Sequence, residues 1–384
     1  MSMARLALLL LAVLAVPACG EKPTPGNTIA VYVGTSPGSG SVGIYRFDLD
    51  RTTGAVSSPE LAARATNPSF LAIHPGGRFL YAVAETGESG GKKTGAVVAF
   101  AIGEEGNLTE INRQSSEGAG PCHLVVDKAG KNVLVANYGG GSVACLPIQP
   151  DGSLSPASST RQHTGSSVDP KRQRAPHAHS INLDAADRFA FAADLGIDRI
   201  LIYRFDADKG LLTPNDPPAG VVAPGSGPRH FTFHPTGAFA YVVNELALTV
   251  TAFAYDAEKG ALTEVQTITT LPVEKQAGFS TAEIVCSQDG KFVYASNRGH
   301  DTIAIFSVDG ATGRLAPVGH ESTQGKTPRN FAIDPSGTFL LAENQGSGTI
   351  VVFRRDAGTG RLTATGHVAK VGSPVCVRFL DPAK

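Results

Sequence analysis

Six segments of the chain share one pattern of hydrophobic and polar positions. Each begins with an alternating apolar run, continues with a short polar turn that contains Gly or Asp, and ends with a run of β-branched, aromatic or small residues. This pattern predicts a β-hairpin, because a period of two places alternate side chains on one face of a strand. The segments recur about every fifty residues and comprise residues 70–85, 123–138, 180–195, 230–245, 283–298 and 330–345.

A second pair of strands is predicted after each hairpin. Residues 249–255 with 261–268, and residues 302–308 with 315–321, show this pair, and turns rich in Asp and Gly join its strands. Four strands in a repeat of about fifty residues is the size of a β-propeller blade. The sequence therefore predicts an all-β fold, namely a seven-bladed β-propeller of four-stranded antiparallel blades over residues 29–384.

The seventh blade has to combine both ends of the propeller, because only six complete repeats are visible. Residues 29–34 and 42–48 are predicted to supply its first strands, and residues 374–380 its innermost strand. The ring would then be closed by N- and C-terminal strands, which leaves no free sheet edges between blades.

The two strands of each hairpin bring unlike side chains to the same place. The start of the first strand and the end of the second lie at one end of a hairpin, and in a propeller this end is one mouth of the central channel. A purely structural repeat should be most uniform there. Eight residues before and after the turn, however, the chain carries Ser69, Cys122, His179, Arg229, Ala282 and Arg329, and Glu85, Tyr138, Leu195, Glu245, Arg298 and Gln345.

These charged and titratable groups are expected to converge at the end of a rigid framework, as in many functional sites. A long polar loop, residues 161–175, leads to the same mouth and carries Lys171, Arg172 and Arg174. Such a loop is either a lid or funnel for anions, or a solvated connection without a function of its own.

The N-terminus has the features of an export signal. Arg5 precedes an apolar run at residues 6–16, which is too short to span a bilayer. Residues 16–20, with the sequence Val-Pro-Ala-Cys-Gly, resemble a bacterial lipoprotein box. We therefore predict a signal peptide at residues 1–18 and lipidation of Cys19.

Residues 19–28 would then be the lipidated cysteine and a short tether. The alternative is an ordinary secretory signal that is cleaved near Ala18. In both cases we expect an exported protein, periplasmic or on the cell envelope, that contacts the membrane only through a lipid on Cys19.

Charge narrows the possible partners. The chain has 33 Lys and Arg residues against 34 Asp and Glu residues, and its net charge is −1. Because there is no basic excess to neutralise a phosphate backbone, nucleic acid is not expected as a partner. The oligomeric state has no signature in the sequence.

Five short motifs carry a family resemblance: Pro-His-Ala-His at 176–179, Gly-Pro-Arg-His at 227–230, Tyr-Val-Val-Asn-Glu at 241–245, Ser-Asn-Arg-Gly at 296–299 and Pro-Arg-Asn-Phe at 328–331. Together they resemble the seven-bladed β-propeller lactonase family, which includes bacterial 6-phosphogluconolactonase and fungal cis,cis-muconate lactonizing enzyme. The resemblance covers essentially the whole mature chain. It implies a site of one His, two Arg and one Glu, which by position correspond to His177 or His179, Arg229, Arg298 and Glu245.

Lactone hydrolysis needs a base that activates water and positive charge that stabilises an oxyanion. Glu245 or a neutral His179 or His177 could be the base, and Arg229 and Arg298 could bind the carbonyl oxygen, the product carboxylate or a phosphate. The predicted catalytic residues are therefore Glu245, His179, Arg229 and Arg298, unless Glu245 and Arg298 merely pair with each other. The predicted substrate-binding residues are His177, Arg329, Asn344, Asp194 and Asn137.

No cofactor is predicted. The pair His177 and His179 has zinc-like spacing, but no third ligand stands out, so no metal is expected.

We expect an exported lactonase-like hydrolase that opens a sugar lactone, with a small lactone or sugar acid as its partner. Two alternatives remain open. One is a muconate-type lactonizing cycloisomerase. The other is a non-catalytic propeller that binds a ligand or an envelope partner, because residues 241–244 and 294–297 also resemble the YVTN-type repeats of surface-associated proteins. The phosphogluconate pathway is cytoplasmic, so an export signal leaves the physiological substrate undetermined.

Overall fold

The strands form seven four-stranded antiparallel sheets in a computed structural model, which describes residues 23–24, 26–87 and 93–380. Residues 1–22, including Cys19 and the predicted signal peptide, lie outside the described residues. The first strands of the chain are β1 (Thr28–Thr35), β2 (Gly43–Asp50) and β3 (Glu60–Arg64).

The next six blades are each continuous in the chain. Blade 1 contains β4 (Leu71–Ile73), β5 (Phe79–Ala84), β6 (Ala96–Ile102) and β7 (Leu108–Ser115). Blade 2 contains β8 (Pro121–Val126), β9 (Asn132–Asn137), β10 (Ser142–Pro147) and β11 (Ser159–Gln162). Blade 3 contains β12 (Ala178–Leu183), β13 (Phe189–Asp194), β14 (Arg199–Asp206) and β15 (Leu211–Val221).

The second half of the ring repeats this arrangement. Blade 4 contains β16 (Pro228–Phe233), β17 (Phe239–Asn244), β18 (Thr249–Asp256) and β19 (Ala261–Thr269). Blade 5 contains β20 (Ser280–Cys286), β21 (Phe292–Arg298), β22 (Thr302–Val308) and β23 (Leu315–Ser322). Blade 6 contains β24 (Pro328–Ile333), β25 (Phe339–Asn344), β26 (Thr349–Arg355) and β27 (Leu362–Lys370).

Blade 7 joins the two ends of the propeller, as predicted. The last strand, β28 (Pro374–Leu380), is its innermost strand and pairs antiparallel with β1, and the sheet order is β28-β1-β2-β3. Within this pairing Val33 lies opposite Val377. The seven-bladed, all-β prediction is confirmed, and the blade that closes the ring has four strands like the other six.

Apolar side chains fill the interfaces between neighbouring blades. Phe191 of blade 3 stacks on Phe231 of blade 4, with ring centroids 5.5 Å apart. Buried tyrosines add a polar contact to four of these interfaces, because each donates its hydroxyl to a glycine carbonyl in an outer turn of the next blade. These contacts, called the tyrosine clasps below, join Tyr32 to Gly106, Tyr81 to Gly152, Tyr241 to Gly313 and Tyr294 to Gly360.

Two histidines fasten the hairpin turns at the end of the channel away from the mouth. His74 Nε2 lies 3.1 Å from the carbonyl oxygen of Gly130, and His234 Nε2 lies 2.9 Å from that of Gly290. Gly130 and Gly290 have φ angles of 68° and 70°, in the left-handed region that glycine tolerates. These two contacts join the inner hairpins of blades 1 and 2 and those of blades 4 and 5.

The described residues contain no α-helix. Accordingly, that part of the chain has no helix that is long and apolar enough to cross a bilayer.

Candidate active site

A cavity of about 350 Å³ lies at the mouth. Seven of its nine lining residues come from the two sequence positions that flank the hairpins, and the other two are Ser280 at the start of β20 and Arg172 from the loop after β11. The lining residues of this mouth cavity are Glu85, Cys122, Tyr138, Arg172, His179, Glu245, Ser280, Arg298 and Arg329. Its volume is at the lower end of the range for small-ligand sites.

Three guanidinium groups surround the carboxylate of Glu245. Arg172 Nη2 lies 2.8 Å from Oε1, while Arg229 Nε and Arg298 Nη2 each lie 3.0 Å from Oε2. Burial alone would raise the pKa of Glu245, but Arg298, Arg229 and Arg172 outweigh it and lower the pKa to about 2. Glu245 therefore remains ionised and has little capacity to accept a proton at neutral pH.

Arg229 and Arg298 are fixed by the backbone of blade 5 as well as by Glu245. Arg229 donates from Nη1 to the carbonyl oxygen of Ala282 at 2.7 Å, and Arg298 donates from Nη2 to that of Thr281 at 2.7 Å. Burial, followed by the charges of Arg329 and Arg298, lowers the pKa of Arg229 to about 9, so it stays protonated at neutral pH. Arg229 is 2% exposed and lies behind Glu245, whereas Arg298 lines the cavity.

Arg172 reaches the cavity from the basic loop that the sequence places at this mouth. Its neighbour Gln173 is fully buried and donates to the carbonyl oxygen of Leu195 at 2.8 Å, which anchors the loop. Arg172 itself also donates to the Tyr138 hydroxyl at 3.2 Å. The hydrogen bond of Gln173 thus fixes the loop next to Arg172, which forms the ion pair with Glu245.

Arg329 differs from the other three arginines because its guanidinium has no hydrogen bond or ion pair within residues 23–24, 26–87 and 93–380. It is half-buried and lines the cavity. Three guanidinium groups therefore line the cavity together with two carboxylates, Glu85 and Glu245, and Arg229 lies behind Glu245. This excess of positive charge would attract an anionic or strongly polarised ligand.

His179 lines the cavity as an uncharged imidazole. Burial, reinforced by the positive charges of Arg229 and Arg329, holds its pKa well below the usual value. Its Nδ1 lies 3.7 Å from the sulfur of Cys122, and its ring meets that of His230 edge-on at 5.3 Å. His230 in turn lies 2.9 Å from the Glu283 carboxylate, deeper in the channel.

His177 is not among the lining residues of the mouth cavity. Its ring stacks on Tyr138 with a centroid distance of 4.6 Å, and its Nδ1 lies 3.0 Å from the Tyr138 carbonyl oxygen. This arrangement supports Tyr138 from behind. Of the two histidines that the resemblance left open, His179 is therefore the one that faces the cavity.

Three further predicted substrate-binding residues, besides His177, do not line the cavity. All three are fully buried, namely Asn137, Asp194 and Asn344. Each side chain forms a hydrogen bond with the loop that leads into its blade. Asn137 donates to the carbonyl oxygen of Ser116, and Asn344 donates to that of Thr323. Asp194 accepts from the backbone nitrogen of His177 at 2.7 Å and lies 2.6 Å from His163 Nδ1. The three side chains therefore bond to loops of the protein and are not among the residues that line the mouth cavity.

Some cavity residues were not among the predicted site residues. Glu85, Cys122 and Tyr138 occupy the same two flanking positions as His179 and Glu245, so the register signal alone could have identified them. Ser280 lies outside that register. Within the described ranges, no group of three or more His, Cys, Asp or Glu side chains is arranged to hold a metal ion.

Comparison with known proteins agrees with this architecture. The family described as "Lactonase, 7-bladed beta-propeller" matches residues 30–379. A 6-phosphogluconolactonase of Bacillus subtilis strain 168 is 41% identical over 350 residues, which are 91% of this chain and 97% of that protein. A 6-phosphogluconolactonase of Formosa agariphila is 38% identical over 80% of this chain and 86% of its own.

Among solved structures, the periplasmic gluconolactonase of Pseudomonas aeruginosa is 34% identical and superimposes with a TM-score of 0.86, over 92% of this chain and 99% of that one. The match of the family extends from the first propeller strand almost to the end of the last. The chain therefore belongs to the seven-bladed β-propeller lactonase family.

Proposed function

We propose that this protein hydrolyses a sugar lactone of the 6-phosphogluconolactone type in the mouth cavity. The observation that carries this proposal is the convergence of an uncharged imidazole, His179, with the guanidinium groups of Arg298 and Arg329 on one cavity of about 350 Å³. The imidazole is uncharged and thus in the form that can accept a proton, while the fixed cations suit the oxyanion of acyl transfer to water. The names of the relatives from Bacillus subtilis and Formosa agariphila support the same chemistry.

In the proposed reaction, His179 accepts a proton from water while the water oxygen attacks the lactone carbonyl carbon. The carbonyl oxygen becomes an oxyanion, and the guanidinium groups that line the cavity stabilise it by charge-assisted hydrogen bonds. The bond between the carbonyl carbon and the ring oxygen then breaks. His179 returns its proton to that oxygen, and the product is the open hydroxy acid.

Glu245 has a different role in this scheme. Its pKa of about 2 and its three guanidinium partners make it a poor base. It holds Arg172, Arg229 and Arg298 in place and offsets part of their charge. Because guanidinium groups occupy both oxygens of Glu245, the base is assigned to His179, which lines the cavity.

The two alternatives have less support. The relatives that are 41% and 38% identical are named 6-phosphogluconolactonase, which favours a lactonase over a muconate-type cycloisomerase. A purely structural or ligand-binding propeller would not require a histidine and an arginine without an ion pair among the described residues, His179 and Arg329, to line one cavity.

Initial rates of hydrolysis on 6-phosphogluconolactone and on unphosphorylated gluconolactone test this proposal. The variant His179→Gln should lose about 100- to 10,000-fold in kcat, the usual contribution of a general base. His367→Gln, on the outer strand β27, is the matched control and should keep the wild-type rate. Thermal unfolding of both variants checks that they fold. A wild-type protein without turnover on either lactone, or equal rates for both variants, would contradict the proposal and favour a non-catalytic propeller.

We also propose that the protein is exported and anchored through Cys19. The supports are the apolar run at residues 6–16 followed by Val-Pro-Ala-Cys-Gly, and the periplasmic location in the name of the Pseudomonas aeruginosa relative. Mass spectrometry of the protein from membranes should find a lipid-modified Cys19 as the first residue, and Cys19→Ser should move the protein to the soluble fraction. An unmodified N-terminus near Ala18 would indicate an ordinary secretory signal, and an intact Met1 would refute export.

A further inference from the structure

Two carboxylates line the mouth cavity, at equivalent positions of different blades. Glu85 follows β5 of blade 1, and Glu245 follows β17 of blade 4. Since the ring has seven blades, these side chains enter the cavity from well-separated directions. Their surroundings differ sharply, and this difference points to different roles.

Glu85 is free of the arginine cluster. Its carboxylate accepts a short hydrogen bond from the Ser69 hydroxyl through Oε2. In the part of the chain that the structure describes, it has no ion pair and no other side-chain hydrogen bond. Glu245, in contrast, has both oxygens occupied by guanidinium groups. Glu85 therefore keeps acceptor capacity for a ligand.

The backbone around Glu85 is held in place before any ligand arrives. The side chain of Asn67 donates to the carbonyl oxygen of Glu85 at 2.7 Å, and the backbone nitrogen of Glu85 donates to that of Asn67 at 3.1 Å. The Ser69 nitrogen donates to the same Asn67 oxygen at 2.8 Å. Asn67, Ser69 and Glu85 thus form one preorganised unit, which reduces the cost of binding.

The order of the blades gives the cavity two chemically different sides. Arg298 and Arg329, the two lining arginines that blades supply, come from blades 5 and 6, whereas Glu85 comes from blade 1. The third lining arginine, Arg172, is held by Glu245 and by the Tyr138 hydroxyl. His179 is at the start of blade 3, and in the ring this blade lies between blade 1, which carries Glu85, and blade 4, which carries Arg229. A lactone whose carbonyl faces the arginines would therefore turn the rest of its ring toward Glu85.

We propose that Glu85, oriented by Ser69, recognises the hydroxyl groups of the substrate ring and so selects polyhydroxylated lactones. This inference rests on the proposed lactonase function. A carboxylate accepts hydrogen bonds from hydroxyl groups, and such charge-assisted bonds are stronger than neutral ones. A lactone without hydroxyl groups gains nothing from Glu85, so the residue determines specificity rather than the chemical step.

The test compares δ-gluconolactone with δ-valerolactone, which has the same ring size and no hydroxyl groups. Glu85→Gln should lower kcat/KM for δ-gluconolactone by about 10- to 100-fold, mainly through KM, and leave that for δ-valerolactone within about twofold. Ser69→Ala, which only frees the Glu85 side chain, should show a smaller loss with the same selectivity. Glu105→Gln, at an exposed outer turn, is the control and should change neither rate.

The outcomes separate this inference from the proposed function. If Glu85→Gln lowers kcat equally on both lactones, Glu85 is an acid–base group and the inference is wrong. If the variant loses activity on neither lactone, the inference is also wrong. In both cases, wild-type activity on δ-gluconolactone still supports the lactonase. If the wild-type protein turns over neither lactone, calorimetric titration with D-gluconate decides. Binding that weakens at least tenfold in Glu85→Gln supports hydroxyl recognition, whereas unchanged or absent binding refutes it.

Discussion

At the scale of single residues, the channel contains a buried acid that the proposed reaction does not use. Glu343 in β25 is fully buried, and neither of its carboxyl oxygens has a hydrogen-bond partner among the described residues. Burial raises its pKa well above the usual value, Arg378 counteracts this in part, and Glu283 adds to it. The neutral acid form of Glu343 is therefore favoured, because an uncompensated buried charge would be costly.

Glu343→Gln should remove a pH dependence of stability. A carboxyl group whose folded pKa is raised stabilises the fold fully below its unfolded pKa, near 4.5, and this stabilisation is lost as the pH rises toward the folded pKa, at about 1.4 kcal/mol per pH unit. Thermal unfolding at pH 5 and pH 8 checks this. The variant should resemble the wild type at pH 5 and unfold at least a few degrees higher at pH 8. An identical pH dependence of both proteins would show that Glu343 is ionised in the fold.

At the scale of the structural element, the tyrosine clasps explain how similar blades are held in one ring. Each hydroxyl reaches an outer turn of the next blade, as in the bond of 3.2 Å from Tyr241 to the carbonyl oxygen of Gly313. Burial raises the pKa of Tyr32 to about 12, so that hydroxyl stays protonated and remains a donor. The equivalent positions in blades 2, 3 and 6 hold Leu134, Phe191 and Leu341, and those interfaces rely on apolar packing instead.

Tyr241→Phe should destabilise the propeller by about 1 kcal/mol, because it removes one net hydrogen bond and leaves a buried carbonyl oxygen without its donor. Chemical denaturation measures the change in the free energy of unfolding. Tyr45→Phe is the matched control, since within the described residues the half-buried Tyr45 makes no side-chain hydrogen bond. Equal stability of the two variants would show that the clasps contribute nothing beyond packing.

At the scale of the whole molecule, the repeat in the sequence predicts more of the site than any single motif does. The spacing of the hairpins fixes which residues reach the mouth, and it predicts the meeting of His179, Glu245, Arg298 and Arg329. The spacing does not determine the direction in which a side chain points at the end of a strand. For this reason Asn137, Asp194 and Asn344 were expected in the site but bond to loops instead.

Long loops are a second feature of the site that the sequence does not predict. The path of the loop between β11 and β12 depends on tertiary contacts such as the burial of Gln173, so its basic composition suggested a role at the mouth without identifying Arg172 as the partner of Glu245. The saturation of Glu245 by three guanidinium groups also depends on contacts between blades. Sequence spacing could therefore identify which residues lie at the mouth, but not which role each of them has there.

The most direct test of the account is a crystal structure of the wild-type protein with D-gluconate, the open product of gluconolactone. We expect the ligand in the mouth cavity, with its carboxylate against Arg298 and Arg329, His179 beside the carboxyl carbon, and its hydroxyl groups toward Glu85. Gluconate bound at the opposite end of the channel, or an empty mouth at a concentration that saturates binding in solution, would contradict the claim that this ring brings unlike residues together into one lactone site.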